Sequence, residues 1–206
     1  MEFNPDQFDP WAENYDDDVE AESGFPFSGY ARLLNSIVTS GGPNPGETVL
    51  DLGCGTGNLG AAFLPFGCQV WGTDFSTKMI AKAQLKFPEI AFVVADTRDP
   101  LPEGFPDRFD LIVSAYVFHH FPFEEKIKQI LRYKGNHLHP GGRILIGDLM
   151  FQSEDDKYNV ASRYEADWDE EYYWVLDHDL PLMKAVGLSV AHQQISFCAG
   201  YLEIGL

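Results

Sequence analysis

The chain has 206 residues, a length that suits one α/β domain with a sizeable hydrophobic core. It contains 32 acidic residues against 14 lysines and arginines, which gives a formal net charge of −18. A surface this acidic repels phosphates, so we expect neither a nucleic-acid substrate nor a membrane partner. The three cysteines show no CxxC spacing, and the first residues include neither a basic stretch nor a long apolar run. These features predict a cytoplasmic protein without structural disulfides or a membrane span.

Residues 1–40 are predicted to form an N-terminal helical cap. The first 24 residues are acidic and rich in aromatics, and Trp11 and Tyr15 lie four apart, so they share a face if the segment is helical. Apolar residues at helical spacing between Tyr30 and Val38 predict a second helix. The cap either packs on the domain surface or forms a lid over a bound ligand.

The most informative feature is a glycine-rich turn after the first apolar strand. Residues 48–50 are Thr-Val-Leu, and Asp51 follows, with glycines at the alternate positions Gly53, Gly55 and Gly57. Glycine permits a tight turn and lets the backbone approach a ligand where a Cβ would collide. The backbone N–H groups that open the next helix then face that ligand. This pattern predicts a nucleotide-binding turn.

Two cofactors compete for this turn. The stretch from Gly55 to Gly60 formally matches the GxGxxG fingerprint of dinucleotide-binding proteins, but the match begins two residues late. The stronger pattern is Asp51-x-Gly53-x-Gly55-x-Gly57, with an acid two residues before the first glycine. An NAD(P)-dependent oxidoreductase is disfavoured by that acid and by the lack of a Tyr-x-x-x-Lys pair.

Acids also end the next two predicted strands. Asp74 follows the apolar run 68–73, where a carboxylate accepts hydrogen bonds from ribose hydroxyls or caps the following helix. Asp96 follows the run 90–95 and is either a ligand contact or an ordinary turn residue.

The rest of the chain alternates strands and helices. Further strands are predicted at 109–115, 143–148, 188–197 and 199–204, and a turn at 138–142 precedes the second of these. About two residues join the last two, which demands an antiparallel hairpin. On the helix predicted near 76–87, Lys78, Lys82 and Lys86 fall four apart, as is typical of a solvated face. We therefore predict a single domain over 1–206 whose seven-stranded, mostly parallel sheet ends in an antiparallel hairpin, with helices on both faces.

The glycine turn with its acid and the terminal hairpin resemble the class I S-adenosylmethionine-dependent methyltransferases, whose fold is Rossmann-like. Segments 8–16, 171–174 and 195–200 further resemble the YrrT-like branch of that family. The resemblance implies S-adenosylmethionine as cofactor, with Asp51 near its amino-acid end, Asp74 on the ribose and Asp96 at the adenine amino group. The cofactor-binding residues it implies are Asp51, Gly53, Cys54, Gly55, Gly57, Asp74, Phe75, Met79, Asp96, Thr97, Ser114 and Tyr15.

Methyl transfer is an in-line displacement, so the protein chiefly aligns the reacting groups and excludes water. A base is needed only if the acceptor loses a proton, and His119 and His120 follow the fourth strand at the ligand edge of the sheet. Two roles are open for these histidines: one of them accepts a proton from the acceptor, or both only shape the pocket.

The predicted acceptor-side residues are Trp11, Tyr116, Trp168, Tyr172 and His178, for which packing is the competing role. Residues 153–187 are expected to form a helical segment over the acceptor pocket. No metal is expected, because adjacent histidines are poorly spaced for chelation on a regular element. The predicted function is methyl transfer to a small-molecule acceptor by a monomer or homodimer, and the alternative is a non-catalytic cofactor-binding protein.

Overall fold

The structure, a computed structural model, describes residues 11–21 and 24–205, with side chains from residue 13 onward. The predictions for residues 1–10 and for the Trp11 side chain lie outside the described residues. The helices are α1 (Trp11–Ala21), α2 (Tyr30–Gly41), α3 (Asn58–Ala61), α4 (Thr77–Lys86), α5 (Phe123–Arg132), α6 (Glu154–Arg163) and α7 (Leu176–Ala185). The strands are β1 (Thr48–Leu52), β2 (Gln69–Asp74), β3 (Ala91–Val94), β4 (Phe109–Ala115), β5 (Leu138–Phe151), β6 (Trp174–Val175), β7 (Ser189–Gln194) and β8 (Ala199–Gly205).

The main sheet has the strand order β3-β2-β1-β4-β5-β8-β7. Strands β1 to β5 pair in parallel, whereas β8 lies antiparallel between β5 and β7. This confirms the predicted mixed sheet and its terminal hairpin. The strand order reverses at β1 and β4, so a crevice opens beyond their carboxyl ends, where ligands bind in open α/β sheets.

Hydrophobic side chains fill both faces of the sheet, because successive residues of a strand point to opposite sides. On β4, Leu111 and Val113 belong to the core cluster that includes Leu33 of α2, whereas Ile112 belongs to the cluster that includes Ile130 of α5. The nearly continuous apolar sequence of β4 therefore reflects burial on both faces. In the described part of the chain, no helix is long and apolar enough to cross a membrane.

Strand β5 is longer than the sequence predicts. The predicted turn at 138–142 instead begins the strand, because Leu138 pairs with Phe109 and a register shift absorbs the extra residues. At the other end, Met150 and Phe151 pair with the short parallel strand β6, which the sequence did not predict. The extension carries Asp148 into the interior of the sheet, with none of its surface exposed.

The C-terminal third departs from the predicted boundaries in two places. A separate helix, α6, begins after Ser153, whose hydroxyl accepts a hydrogen bond from the backbone N–H of Asp156 at 3.2 Å. The hairpin loop spans 195–198 rather than about two residues, and the backbone N–H groups of Ile195 and Ser196 both bond to the carbonyl of Ala199.

Candidate functional site

The glycine turn connects β1 to α3 through left-handed backbone conformations. The φ angles are 64° at Gly53, 53° at Gly55 and 87° at Gly57, a region that other L-residues adopt only at a cost. A Cβ at Gly57 would lie 2.7 Å from the Phe92 ring, so this glycine serves packing. A Cβ at Gly55 would approach no protein atom closer than 3.9 Å among the described residues. It would project into open space, where a ligand comes close to the backbone.

Asp51 supports the turn from behind. Its Oδ2 accepts a hydrogen bond from the backbone N–H of Gly60 at 2.8 Å, and its Oδ1 has no hydrogen-bond partner among the described residues. Burial, helped by the charge of Asp74, raises the pKa of Asp51 to about 7, although the Gly60 bond opposes the shift. The side chain is 1% exposed and does not line the cleft described below.

Asp74 ends β2 beside the turn. Its Oδ2 accepts from the backbone N–H of Gly55 at 2.9 Å, and its Oδ1 accepts from that of Ser76 at 2.8 Å. Burial raises the pKa of Asp74 to about 6, against the lowering effect of these two bonds. Ser76 itself caps α4 by accepting from Met79 at 3.3 Å, so Asp74 is not needed as a cap.

A cleft opens at the carboxyl ends of β1, β2 and β4. Ten predicted site residues line it: Tyr15, Gly53, Gly55, Asp74, Phe75, Met79, Asp96, Thr97, Tyr116 and His120. Four further lining residues were not predicted, namely Arg98, Ala115, Val117 and Phe121. The backbone of Tyr116 has a φ of 58°, and its N–H donates to the carbonyl of Gly147 at 3.0 Å. The cleft thus joins the glycine turn to the loop that follows β4.

Asp96 is already paired with Arg98. The guanidinium contacts both carboxylate oxygens, at 2.9 and 2.5 Å, and the Arg98 backbone N–H donates to Oδ1 at 2.8 Å. Burial works against ionisation, but these bonds lower the pKa of Asp96 below its ordinary value. The neighbouring Thr97 is buried, and its hydroxyl has no hydrogen-bond partner among the described residues. Of these two neighbouring residues, Thr97 therefore has the polar group that is not already engaged by a described side chain or backbone group.

Three residues of the predicted cofactor set lie outside the cleft lining besides Asp51. Cys54 and Gly57 face the interior beneath the turn. Ser114 was expected to face the cofactor, but its hydroxyl is 1% exposed and donates to the carbonyl of Leu52 at 2.7 Å. The bond joins the ends of β1 and β4, so the side chain supports the sheet.

Three of the predicted acceptor-side residues also lie away from the cleft. The Trp168 ring stacks on Phe25 with the centroids 5.1 Å apart. The Tyr172 side chain is 47% exposed. His178 is largely exposed on α7 and bonds to Asp179 at 2.9 Å. Aromatic spacing along the chain did not reveal that these rings serve packing or the outer surface.

The two histidines have different surroundings. His119 is buried, and its Nδ1 lies 2.5 Å from Oδ1 of Asp148, whose Oδ2 accepts from the His119 backbone N–H at 2.8 Å. His120 lines the cleft, and its Nδ1 lies 2.8 Å from Oε1 of Glu171. Oε2 of Glu171 is 3.3 Å from Nε2 of His119. A chain of four titratable groups therefore runs from β5 to the cleft, in the order Asp148, His119, Glu171 and His120.

Charge and burial set opposite pKa shifts within this chain. Burial alone would lower the pKa of His119, but Asp148 and Glu171 raise it above the ordinary value. Burial together with the neighbouring His119 lowers the pKa of His120. The lowered pKa favours the neutral form of His120, and the Glu171 carboxylate holds its ring through Nδ1.

A buried lysine supports the same network. Lys126 of α5 is 1% exposed, its Nζ lies 4.0 Å from the centre of the Trp174 ring, and it donates to the carbonyl of Tyr172. Burial lowers its pKa to about 8, although the charge of Asp148 opposes the shift. The Trp174 ring N–H donates to Oδ2 of Asp148 at 3.1 Å. Neither Lys126 nor Asp148 was singled out from the sequence, because no motif marks either residue.

Helix α1 is attached to the glycine turn by a second polar cluster. Oδ1 of Asp16 accepts from the hydroxyl of Thr56 at 2.7 Å and pairs with Nζ of Lys86 at 2.9 Å. Lys82 donates to the carbonyl of Glu13 at 2.9 Å. Two of the three lysines that predicted a solvated face on α4 therefore hold the N-terminal helix. Tyr15, on the same helix, reaches the cleft as a result.

Comparisons with known proteins agree with this geometry. Residues 49–142 match a family described as a methyltransferase domain. An uncharacterized methyltransferase of Geobacillus thermodenitrificans is 34% identical over 202 residues, which cover 92% of this chain and 90% of that protein.

Two solved structures have the same fold. A TehB-like SAM-dependent methyltransferase from Corynebacterium glutamicum is 25% identical with a TM-score of 0.63, covering 98% of this chain and 99% of that one. The magnesium protoporphyrin IX methyltransferase of Synechocystis, solved with bound SAH, has a TM-score of 0.72 at 21% identity, covering 98% and 97%. At that lower identity the similarity shows the fold alone.

Proposed function

This chain belongs to the class I S-adenosylmethionine-dependent methyltransferases, and we propose that it methylates a small molecule held at the His120 end of its cleft. One observation carries the proposal: the cleft is lined by two chemically different sets of residues, the glycine turn with Asp74 and the loop after β4 with Tyr116 and His120. We take the first set as the cofactor end of the cleft and the second set as the acceptor end. Family membership argues against the oxidoreductase alternative. The YrrT-like branch stays a prediction.

The residues of the first end fit the cofactor. Asp74 accepts two backbone hydrogen bonds among the described residues, which leaves lone pairs on both oxygens for ribose hydroxyls. The hydroxyl of Thr97, which has no hydrogen-bond partner in the described part of the chain, offers a further polar contact. Gly55 leaves the space that a Cβ would fill, and Phe75 and Met79 add apolar wall. When bound, S-adenosylmethionine supplies an electrophilic methyl group on its sulfonium.

The second end supports acceptor binding. Tyr116 and His120 are the predicted acceptor-side and catalytic residues that line the cleft. Glu171 holds the His120 ring through Nδ1, so the ring has a fixed direction without any ligand. We propose that His120 contacts the acceptor directly, whereas the buried His119 acts through its neighbours. Proper alignment of acceptor and methyl carbon is the main contribution these residues make.

Two segments complete the proposed enclosure. Residues 1–40 are proposed as a cap, a role supported by Tyr15, which lines the cleft, and by the contacts of Asp16. Residues 153–187 are proposed to cover the acceptor end, a role supported by Glu171 beside His120. Both segments come from outside the strand–helix alternation of the cofactor-binding half. They would exclude water from the reacting groups.

The test is calorimetric titration of the purified protein with S-adenosylmethionine, S-adenosylhomocysteine and NAD in parallel. We expect binding of the first two and none of NAD. A screen of small molecules by mass spectrometry, with S-adenosylhomocysteine formation as the readout, then identifies the acceptor class. Binding of NAD alone would contradict the assignment of the glycine turn. Cofactor binding without turnover of small-molecule acceptors, but with methylation of a protein or nucleic acid, would contradict the proposed acceptor class.

A further inference from the structure

Three potential metal-ligand side chains meet at the acceptor end of the cleft. His119 and His120 follow β4, and Glu171 lies 51 residues further along the chain, before β6. One ligand atom from each residue lies within 4.8 Å of those of the other two. Nδ1 of His120 is 2.8 Å from Oε1 of Glu171, and Nε2 of His119 is 3.3 Å from Oε2.

These separations suit coordination to a common ion. Metal–nitrogen and metal–oxygen bonds of roughly 2.0–2.2 Å, at angles between square and tetrahedral, put neighbouring ligand atoms about 2.8–3.6 Å apart. Both observed distances lie within that range. The Glu171 side chain is 27% exposed, which leaves its carboxylate room to adjust to an ion that the two imidazoles share.

Adjacent histidines chelate poorly when they lie on a regular helix or strand, and that argument led the sequence to predict no metal. Here Phe118–His120 form a single 3₁₀ turn, and the two imidazole centres are only 4.0 Å apart. His119 would bind the ion through Nε2 and His120 through Nδ1. Because Nε2 lies farther from the backbone than Nδ1, two histidines that are adjacent in the chain can approach the same ion. Glu171 supplies the third ligand from outside the turn.

The orientation of His119 is fixed independently of any ion. Its Nδ1 bonds to Asp148, which also accepts from the backbone N–H of Leu149 at 2.9 Å and from the ring of Trp174 at 3.1 Å. Asp148 has none of its surface exposed. A buried carboxylate that holds one imidazole nitrogen while the other faces the ligand position is the usual support of a metal-bound histidine.

We propose that His119, His120 and Glu171 form a binding site for one divalent transition-metal ion, with Zn²⁺ as the best-suited ion. Two imidazoles and one carboxylate are a ligand set of catalytic zinc sites, which keep a further position open. His120 lines the cleft, so that position borders the acceptor end. The ion would hold an acceptor through an oxygen atom, and this last step rests on the proposed function. His120 would then serve as a ligand rather than as a base.

The test uses tag-free protein that has been stripped with a chelator and dialysed. We expect calorimetry to show one Zn²⁺ per chain, and Co²⁺ to give the visible absorption bands of an ion with nitrogen and oxygen ligands. Glu171→Gln and His120→Asn should each weaken Zn²⁺ binding at least ~10-fold. The matched control is His178→Asn, which removes an exposed histidine paired with Asp179 at 2.9 Å and should leave binding unchanged.

Folding of each variant is checked by its melting curve. Absence of stoichiometric Zn²⁺ binding to the wild-type protein would overturn the proposal, and so would equal binding by wild type and Glu171→Gln. Titration with S-adenosylhomocysteine in the same samples separates the two hypotheses. Retained cofactor binding without metal binding removes the metal site and leaves the proposed function intact.

Discussion

Cofactor affinity should depend on the ionisation of Asp74. Its two oxygens are each held by one backbone N–H, from Gly55 and Ser76, and ribose hydroxyls would donate to the remaining lone pairs. Burial raises its pKa to about 6, so near pH 7 the carboxyl is mostly ionised and near pH 5 mostly protonated. About one unit below its pKa only roughly a tenth of the carboxyl is charged, which predicts roughly tenfold weaker binding, or about 1.4 kcal/mol.

The assay is calorimetric titration with S-adenosylhomocysteine at constant ionic strength from about pH 5 to about pH 7.5, a range that brackets a carboxyl displaced this far from its usual value. Affinity should rise with pH, with a midpoint near 6 that reports Asp74. Asp74→Asn should bind weakly throughout and lose this midpoint. A flat profile in the wild-type protein, or an unchanged profile in Asp74→Asn, would refute the reasoning. Asp51→Asn shows how much of the profile comes from Asp51, whose pKa of about 7 falls in the same window and is raised in part by the charge of Asp74.

Three further predictions concern the turn and its supports. Gly55→Ala should weaken cofactor binding at least ~10-fold by filling ligand space, and it should lower the melting temperature only through the strained backbone, whose φ is 53°. Gly57→Ala should lower the melting temperature further, because its φ is also positive and its Cβ would lie 2.7 Å from a buried ring. Asp16→Asn should cost less than about 1 kcal/mol of stability, since its ion pair with Lys86 is a third exposed, yet should speed proteolysis within α1; unchanged cleavage would disprove the attachment. Asp51→Asn should raise the melting temperature of the cofactor-free protein at about pH 8. The pKa of Asp51 is about 7 in the folded protein, so ionisation of this carboxyl destabilises the fold increasingly as the pH rises from its unfolded-state pKa to that value. An equal gain in melting temperature at about pH 4 would contradict this linkage.

The part of the cleft lining around the glycine turn was predictable from sequence, because its residues belong to short local patterns. Gly53, Gly55 and Asp74 each stand at the end of a buried apolar run, and parallel strands bring their carboxyl ends to one edge of the sheet. Where the structure departs from the prediction here, the residue lies on the expected strand but its side chain points away from the cleft. Ser114 lies on the right strand, but its hydroxyl points to Leu52, and strand register alone did not reveal this.

The acceptor end was harder to predict, because the sequence does not reveal whether an aromatic side chain points into the cleft, into the core or to the outer surface. Trp168 and Tyr172 have the composition of a binding surface, yet one packs on Phe25 and the other faces outward. Arg98 lines the cleft without any motif to mark it. Its pairing with Asp96 also changes which groups are available to a ligand there.

The sequence by itself determined the sheet, the glycine turn and the family, because hydrophobic periodicity and backbone constraints act over a few residues at a time. Only the tertiary structure decided the environment of the two histidines. His119 meets Asp148 from 29 residues away, and His120 meets Glu171 from 51 residues away. Those contacts depend on the extension of β5 and on the course of the chain before β6. Pairings of this kind arise when distant segments pack together, and they leave no periodic pattern in the sequence.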